Sequence, residues 1–337
     1  MRGGRIRIAE RPDHSVRIPD DVLKCVGYVC EATHRDATGV YGDPYATGFF
    51  LAIPCESPEL KEQRFVYFVT AKHVATDLQD REIFFLINKK GGGASNQTAV
   101  IGNRWEVHPT DANADVAVIQ VAMHPSADIV PVAVETIGLP EKLNKITAGI
   151  GDETHTVGLF SAVPGNQQNM PIVRCGNIAM MPTEQIQTEL GYTDVYLVEA
   201  RSIGGMSGSP VFVQPTVREH IKLGDGTPSV RFAKGPGETL LGMMQGHWAI
   251  RESEINAPSF THDRPRGVNY GIAVVVPAFK IHETIYKPEL MAMRKKQEAQ
   301  ILRKNVPSSD RPEPKEEETF TQADFETALK KVARKIK

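Results

Sequence analysis

The sequence predicts an all-β protein, and three observations carry that prediction. Short runs of β-branched and aromatic residues follow one another from about residue 23 to residue 280. Clusters of Gly, Pro, Asn and Asp separate them, and no long stretch with a 3.6-residue apolar period intervenes. The composition, 41% hydrophobic and 24% charged, is that of an ordinary globular protein, which excludes disordered, collagen-like and fibrous classes. At 337 residues the chain is long enough for about two packing units and an appendage.

The expected strands, in order, are Leu23 to Thr33, Gly48 to Ile53, Arg64 to Thr70, Ile83 to Ile87, Val116 to Val121, Tyr196 to Glu199, Val211 to Val213 and Gly271 to Val276. Short strands at such intervals suit a sandwich or barrel. A polar stretch from Glu135 to Lys145, broken by Gly138 and Pro140, lies near the midpoint and marks a boundary between two halves. Gln214 to Glu238 is rich in Gly, Pro and charge, and Ile250 to Val268 is almost wholly polar. Both read as long surface loops.

After Tyr286 the composition shifts. Pro288 to Lys304 reads as a helix, with Leu290, Met293, Gln297 and Ile301 on one side and Pro288 at a first-turn position. Asn305 to Thr319 carries prolines and acidic residues in the manner of a solvated linker. A last amphipathic helix follows: Thr321 can cap it, and Phe325, Leu329, Val332 and Ile336 form its stripe. Lys330, Lys331, Arg334 and Lys335 near its end complement the macrodipole. Such a helix either folds back on the body or docks a regulatory partner. The expected layout is an extension over 1–22, a first half over 23–138, a second over 139–286, a helix over 287–304, a linker over 305–319 and a terminal helix over 320–337.

Lys+Arg 39 against Asp+Glu 41 leaves a formal charge of −2, so no global field draws the protein to nucleic acid or an anionic membrane. The longest apolar run, Gly271 to Phe279, falls well short of the ~20 residues a spanning helix needs. Met1 to Pro12 is basic without the apolar core of a secretory signal, so the expected location is cytoplasmic. Cys25, Cys30, Cys55 and Cys175 form no Cys-x-x-Cys pair and read as free thiols. The histidines lack zinc-ligand spacing, and neither a metal nor a cofactor is expected.

The sharpest local signal is Gly204-Gly205-Met206-Ser207-Gly208-Ser209-Pro210, running into the apolar Val211-Phe212-Val213. Glycines around one serine permit a tight backbone with an exposed hydroxyl. By itself the pattern is more often just an ordinary turn. A hydroxyl is a weak nucleophile near neutral pH, so a reactive Ser207 needs an imidazole to take its proton and an acceptor to fix that imidazole's tautomer. His73 stands where the strand ending at Thr70 gives way to a turn, although a lone histidine there is often merely packed. Asp115 opens the apolar run Val116 to Val121, which draws its carboxylate into the protein. A buried acid without a partner is costly, and that cost argues for pairing it with His73.

Thr47-Gly48-Phe49-Phe50, Thr70-Ala71-Lys72-His73-Val74, Ala114-Asp115-Val116-Ala117-Val118 and Gly205-Met206-Ser207-Gly208-Ser209-Pro210 together resemble the chymotrypsin-like (trypsin-fold) serine peptidases, in that family's order of His, Asp and Ser. The resemblance spans about residues 23 to 280. It implies two six-stranded antiparallel β-barrels with the site between them, and a protein or peptide as substrate. It further implies that Ser207 attacks the carbonyl, His73 shuttles the proton, Asp115 orients the imidazole, and the amides of Gly205 and Ser207 receive the oxyanion. Asp111 and Asp77 are rival acids, ranked lower because neither leads into an apolar strand, and Ser209 stands where the family keeps a small packing residue. Arg201, Ser202 and Ile203 match the floor and wall of the primary specificity pocket. Met244, Gln245, Gly246 and His247 match the strand that pairs with substrate, and Gly271 the opposite wall. An Arg201 guanidinium aimed into the pocket would favour an acidic residue before the scissile bond.

Departures matter as well. Met206 stands where zymogen-activated members keep an aspartate, and no cysteine flanks His73. Both features look more like bacterial or intracellular trypsin-like peptidases, some of which bear a PDZ module, for which the residues after Tyr286 are too few. Two alternatives share the scaffold: a catalytically silent binding module and an esterase for small acyl groups.

Overall fold

The computed structural model describes residues 18–36, 39–97, 104–160, 163, 165, 167–200, 206–222, 228–234, 238–250 and 268–305. The expected terminal helix over 320–337, most of the linker before it, and the first 17 residues lie outside them, as does most of the Ile250 to Val268 loop.

The first half follows a 3₁₀ turn at Asp20–Cys25 and contains β1 (Val26–Asp36), β2 (Gly39–Pro54), β3 (Arg64–Thr70), α1 (Lys72–Asp77), β4 (Ile83–Asn88), β5 (Ala94–Gln97), β6 (Glu106–Val107), β7 (Ala117–Val121) and β8 (Val132–Ala133). These strands make one eight-stranded sheet, ordered β5-β4-β1-β2-β3-β7-β6, with β8 parallel to β2. The sheet is curled over its own core. Phe85 on β4 and Phe68 on β3 stand three places apart in strand order, yet their ring centroids are 4.2 Å apart. In a flat sheet, strands that far apart are separated by ~14 Å. Phe50 and Trp105 join the same aromatic cluster. Gly48 makes room for it, because a Cβ there would stand 2.2 Å from the Phe68 ring.

The second half contains α2 (Pro140–Lys145), β9 (Glu153–Leu159), β10 (Pro171–Met180), β11 (Ile186–Thr188), β12 (Gly191–Thr193), β13 (Tyr196–Glu199), β14 (Pro210–Gln214), β15 (Thr216–Lys222), β16 (Pro228–Lys234), β17 (Thr239–Ile250) and β18 (Val268–Pro277). Six of these strands close a barrel, β10-β13-β18-β17-β14-β9. Among the described residues this is the closed barrel of the molecule: the pairings of the first half end at β5 and β6, and residues 98–103 between them lie outside the description. Gln214 to Glu238 departs from the loop expected there. It holds an antiparallel ribbon, β15 with β16, in register from Thr216 opposite Lys234 to Lys222 opposite Pro228. Charges interspersed among Val217, Ile221, Val230 and Phe232 hid the strands in a composition-based reading.

The barrel's core cluster is mainly aliphatic, with Val198, Val211, Val213, Leu241, Ala273 and Val275 beside Tyr196 and Met244. Its outer face continues the core of the first half through Val157, Leu159, Phe212 and Leu240. Two helices close the described chain, α3 (Ala278–Ile285) and α4 (Pro288–Asn305). Leu290 of α4 is buried in the core cluster that the first half shares with α3. Glu298 accepts hydrogen bonds from the Glu56 and Ser57 amides at 2.9 and 3.0 Å and from Ser57 Oγ at 2.7 Å. Arg294 donates to Tyr67 Oη at 3.2 Å and to the Ile285 carbonyl at 2.7 Å. No helix among the described residues is long and apolar enough to cross a membrane.

Candidate active site

His73 lies in the first turn of α1, directly after β3 has run its apolar course. Asp115 lies two residues before β7, the strand that pairs with β3, so the ladder between those strands brings the two together. Asp115 Oδ2 is 2.8 Å from His73 Nδ1, and Oδ1 accepts the His73 backbone N–H at 2.9 Å. A carboxylate only accepts, so Nδ1 carries the ring proton and Nε2 is left with a lone pair. The Asp115 side chain is 0% exposed and that of His73 37%, which opens the imidazole to a reactant while its orienting acid stays dry. Burial pushes the His73 pKa down, but the hydrogen bond and charge of Asp115, with Asp77 and Glu189 further off, outweigh it and raise the value.

Ser207 occupies the turn ahead of β14. Gly208 has φ +87, a left-handed conformation that favours glycine. A Cβ at Gly208 would stand 2.0 Å from the Thr47 carbonyl and 2.4 Å from Thr70 Oγ1. The turn therefore rests on β2 and on the last residue of β3, three positions before His73. Thr47 extends the same seam, its Oγ1 accepting the Leu159 N–H at 3.1 Å. On the other side, Gly208 N donates to Met244 O and Met244 N to Ser209 O, both at 2.8 Å.

The Ser207 hydroxyl donates to the Gln245 carbonyl at 3.0 Å, and no hydrogen bond joins it to His73. That acceptor exists because β17 carries an irregularity: its pairing with β18 steps from Met244 to Gly246, leaving Gln245 out of register. A bulge re-aims the groups of the residue it adds. Sequence reasoning placed Gln245 beside substrate and missed its bond to Ser207, since a register shift leaves no mark in composition.

The other expected residues divide into two sets. Gly205, Arg201, Ser202 and Ile203 lie outside the described residues. Gly246 and His247 follow Gln245 on β17, and Gly271 on β18 has φ +84. Gly271, Glu199 and Ala200 line an open cleft of about 700 Å³ with Ile172, Val173, Arg174, Cys175, Gly176 and Asn177. The β10 residues of that cleft were not anticipated, because nothing in an alternating strand distinguishes them.

The rival groups are engaged elsewhere. Asp77 accepts from Tyr45 Oη at 2.7 Å, and Asp111 from Lys280 Nζ at 2.9 Å. Ser209 is fully buried against Gly158. All four cysteines are free, and burial raises the Cys30 thiol to about 12, too high for a neutral-pH nucleophile. Among the described residues no group of three or more His, Cys, Asp and Glu side chains is placed to hold a metal.

Fold and site together define a mostly β protein with a preformed, half-open His–Asp pair and a glycine-bounded serine turn at one seam. No family model and no curated protein matches the chain. Among solved structures it is similar to the MamO protease domain from Magnetospirillum magneticum in its apo form, at 15% identity over 80% of this chain and 99% of that one, with TM-score 0.45. It is also similar to an inactive form of Rv3671c from M. tuberculosis, at 14% identity over 79% of this chain and 86% of that one, with TM-score 0.34. At these values the likeness adds no weight to the geometry already described.

Proposed function

We propose that the chain is a serine endopeptidase of the chymotrypsin-like kind, with Ser207, His73 and Asp115 as its triad and the curled first sheet standing in place of the first barrel. One observation carries the reading: a histidine held at its backbone N–H and its ring Nδ1 by one buried carboxylate, at the seam on which a glycine-bounded serine turn rests. In the reaction, the Ser207 hydroxyl exchanges the Gln245 carbonyl for His73 Nε2 and attacks the substrate carbonyl as its proton passes to the imidazole. Asp115 stabilises the imidazolium. The amides of Gly205 and Ser207 take the oxyanion, and each such donor contributes about 3 kcal/mol in comparable sites. The imidazolium protonates the leaving amine, and water then hydrolyses the acyl-enzyme.

A fluorophosphonate probe tests this. The full chain should be labelled on Ser207, and Ser207→Ala should lose the label while keeping its circular dichroism and melting temperature. Undiminished labelling of that variant would move the nucleophile elsewhere. A second reading, a silent binding module, draws support from the Ser207 bond to the Gln245 carbonyl; it requires that the folded wild-type chain take no label at all. An esterase for small acyl groups would take the label yet turn over p-nitrophenyl acetate and leave casein intact.

A further inference from the structure

A buried cluster of charges beside the site has no part in the reaction above. Lys280 of α3 is 7% exposed, and its Nζ lies 2.9 Å from Asp111 Oδ2 and 3.1 Å from Asp194 Oδ2. Thr193 Oγ1 donates to the same Asp111 oxygen at 3.3 Å. The other Asp111 oxygen accepts the backbone N–H groups of Asn113 and Ala114, at 2.9 and 3.2 Å. The next residue is Asp115.

The same helix holds the start of this loop. His108 Nδ1 accepts the Asp111 N–H at 2.9 Å, so its proton sits on Nε2, which faces Glu283 Oε2 at 2.6 Å. Burial alone would lower the Lys280 pKa, but the two carboxylates outweigh it and raise the value. Burial would raise Asp111, and Lys280 with the Asn113 amide and the Thr193 hydroxyl brings it down instead. Lys280 and Asp111 are therefore both charged at neutral pH. A buried set of charges of this kind persists only while its partners are complete.

We infer that Lys280 is a positioning residue: through Asp111 it fixes the backbone that carries Asp115 against His73, and through Asp194 it ties that loop to the second half of the molecule. The kinetic consequence rests on the serine-hydrolase reading; the effect on the His73 ring does not. Three carboxylates face that ring: Asp115 from the loop before β7, Asp77 from α1 and Glu189 from the β11–β12 turn. Of these Asp115 is the one in contact. Loosening its loop lets burial dominate, and His73 then titrates lower.

The experiment follows the His73 ring by NMR through a pH titration, the signal being assigned by its absence in His73→Gln. In Lys280→Met the midpoint should fall by about half a pH unit or more, and Lys280→Arg should restore most of the shift. Glu189→Gln, which leaves the clasp intact, should move it less. If Lys280→Met does not fold, Lys280→Gln is measured instead: it removes the charge and is too short to bridge Asp111 and Asp194, so the midpoint should again fall. On a peptide substrate, kcat should fall about tenfold or more at constant KM, with the acid limb of the profile moved to lower pH. A lowered melting temperature with an unmoved His73 midpoint in a folded variant would make Lys280 a structural ion-pair member only and overturn the inference. Absence of activity in the wild-type chain would sink the hydrolase reading, and the ring titration would still decide the role of Lys280.

Discussion

The two halves solve the problem of an interior in opposite ways. The second closes six strands on themselves around a mainly aliphatic cluster of Val, Leu, Ile and Ala side chains with Tyr196 and Met244. The first leaves its strand path unclosed among the described residues and curls around large rings instead, Phe50, Phe68 and Phe85 with Trp105. The residues of the proposed site divide along the same line. The aromatic half supplies a histidine and an aspartate already in contact, whereas the barrel supplies a serine whose hydroxyl is bonded within its own half. The lesson is that packing presets the His73–Asp115 pair, while on the proposed mechanism Ser207 is the part that must change partner.

The contrast can be broken most severely at Asp115. Asp115→Asn should lower kcat by about 10⁴-fold while the protein stays folded, because the imidazole loses both its tautomer and its countercharge; a loss under tenfold in steady-state peptide hydrolysis would mean the acid–base pair is not what the first half contributes. Phe68→Ala should destabilise by about 4 kcal/mol in urea titration, against about 2 kcal/mol for Val213→Ala inside the barrel. Equal values would erase the distinction between a ring-filled and a barrel-closed interior.

The pH profile sharpens it further. On the proposed mechanism His73 must be neutral to accept the Ser207 proton, so kcat/KM should fall about tenfold per pH unit below a midpoint lying above the ordinary ~6.5. Stability runs the other way in that window. A raised histidine binds its proton more tightly when folded, so its contribution is complete below the unfolded value and is lost as pH rises through the folded one. The smallest effect belongs to Thr154, whose hydroxyl is buried on a strand of the barrel with no hydrogen-bond partner among the described residues. Thr154→Val should leave stability unchanged or raise it by up to about 1 kcal/mol, as thermal melts can show.

His73 and Asp115 were legible because each adjoins an apolar run, β3 ending at Thr70 and β7 beginning at Ala117, and that pairing is local to one sheet. The serine turn was legible from its glycines. The acceptor of its hydroxyl was not, because it depends on a register step in β17 that any residue can occupy. Lys280 was hidden for a different reason: it sits in helix α3, and its partner Asp111 lies 169 residues away. The curl of the first sheet was equally invisible, since alternation sets which face a side chain takes and not how far the sheet bends.

The seating of α4 bears on how this protein is handled at the bench. A version trimmed at Lys287 would strip Arg294 from the Tyr67 hydroxyl and the Ile285 carbonyl, Glu298 from the Glu56 and Ser57 amides, and Leu290 from its hollow. Any change in rate would then report a wounded scaffold rather than a removed tail. Cuts, affinity tags and fluorophores placed beyond Asn305 leave every one of these contacts in place.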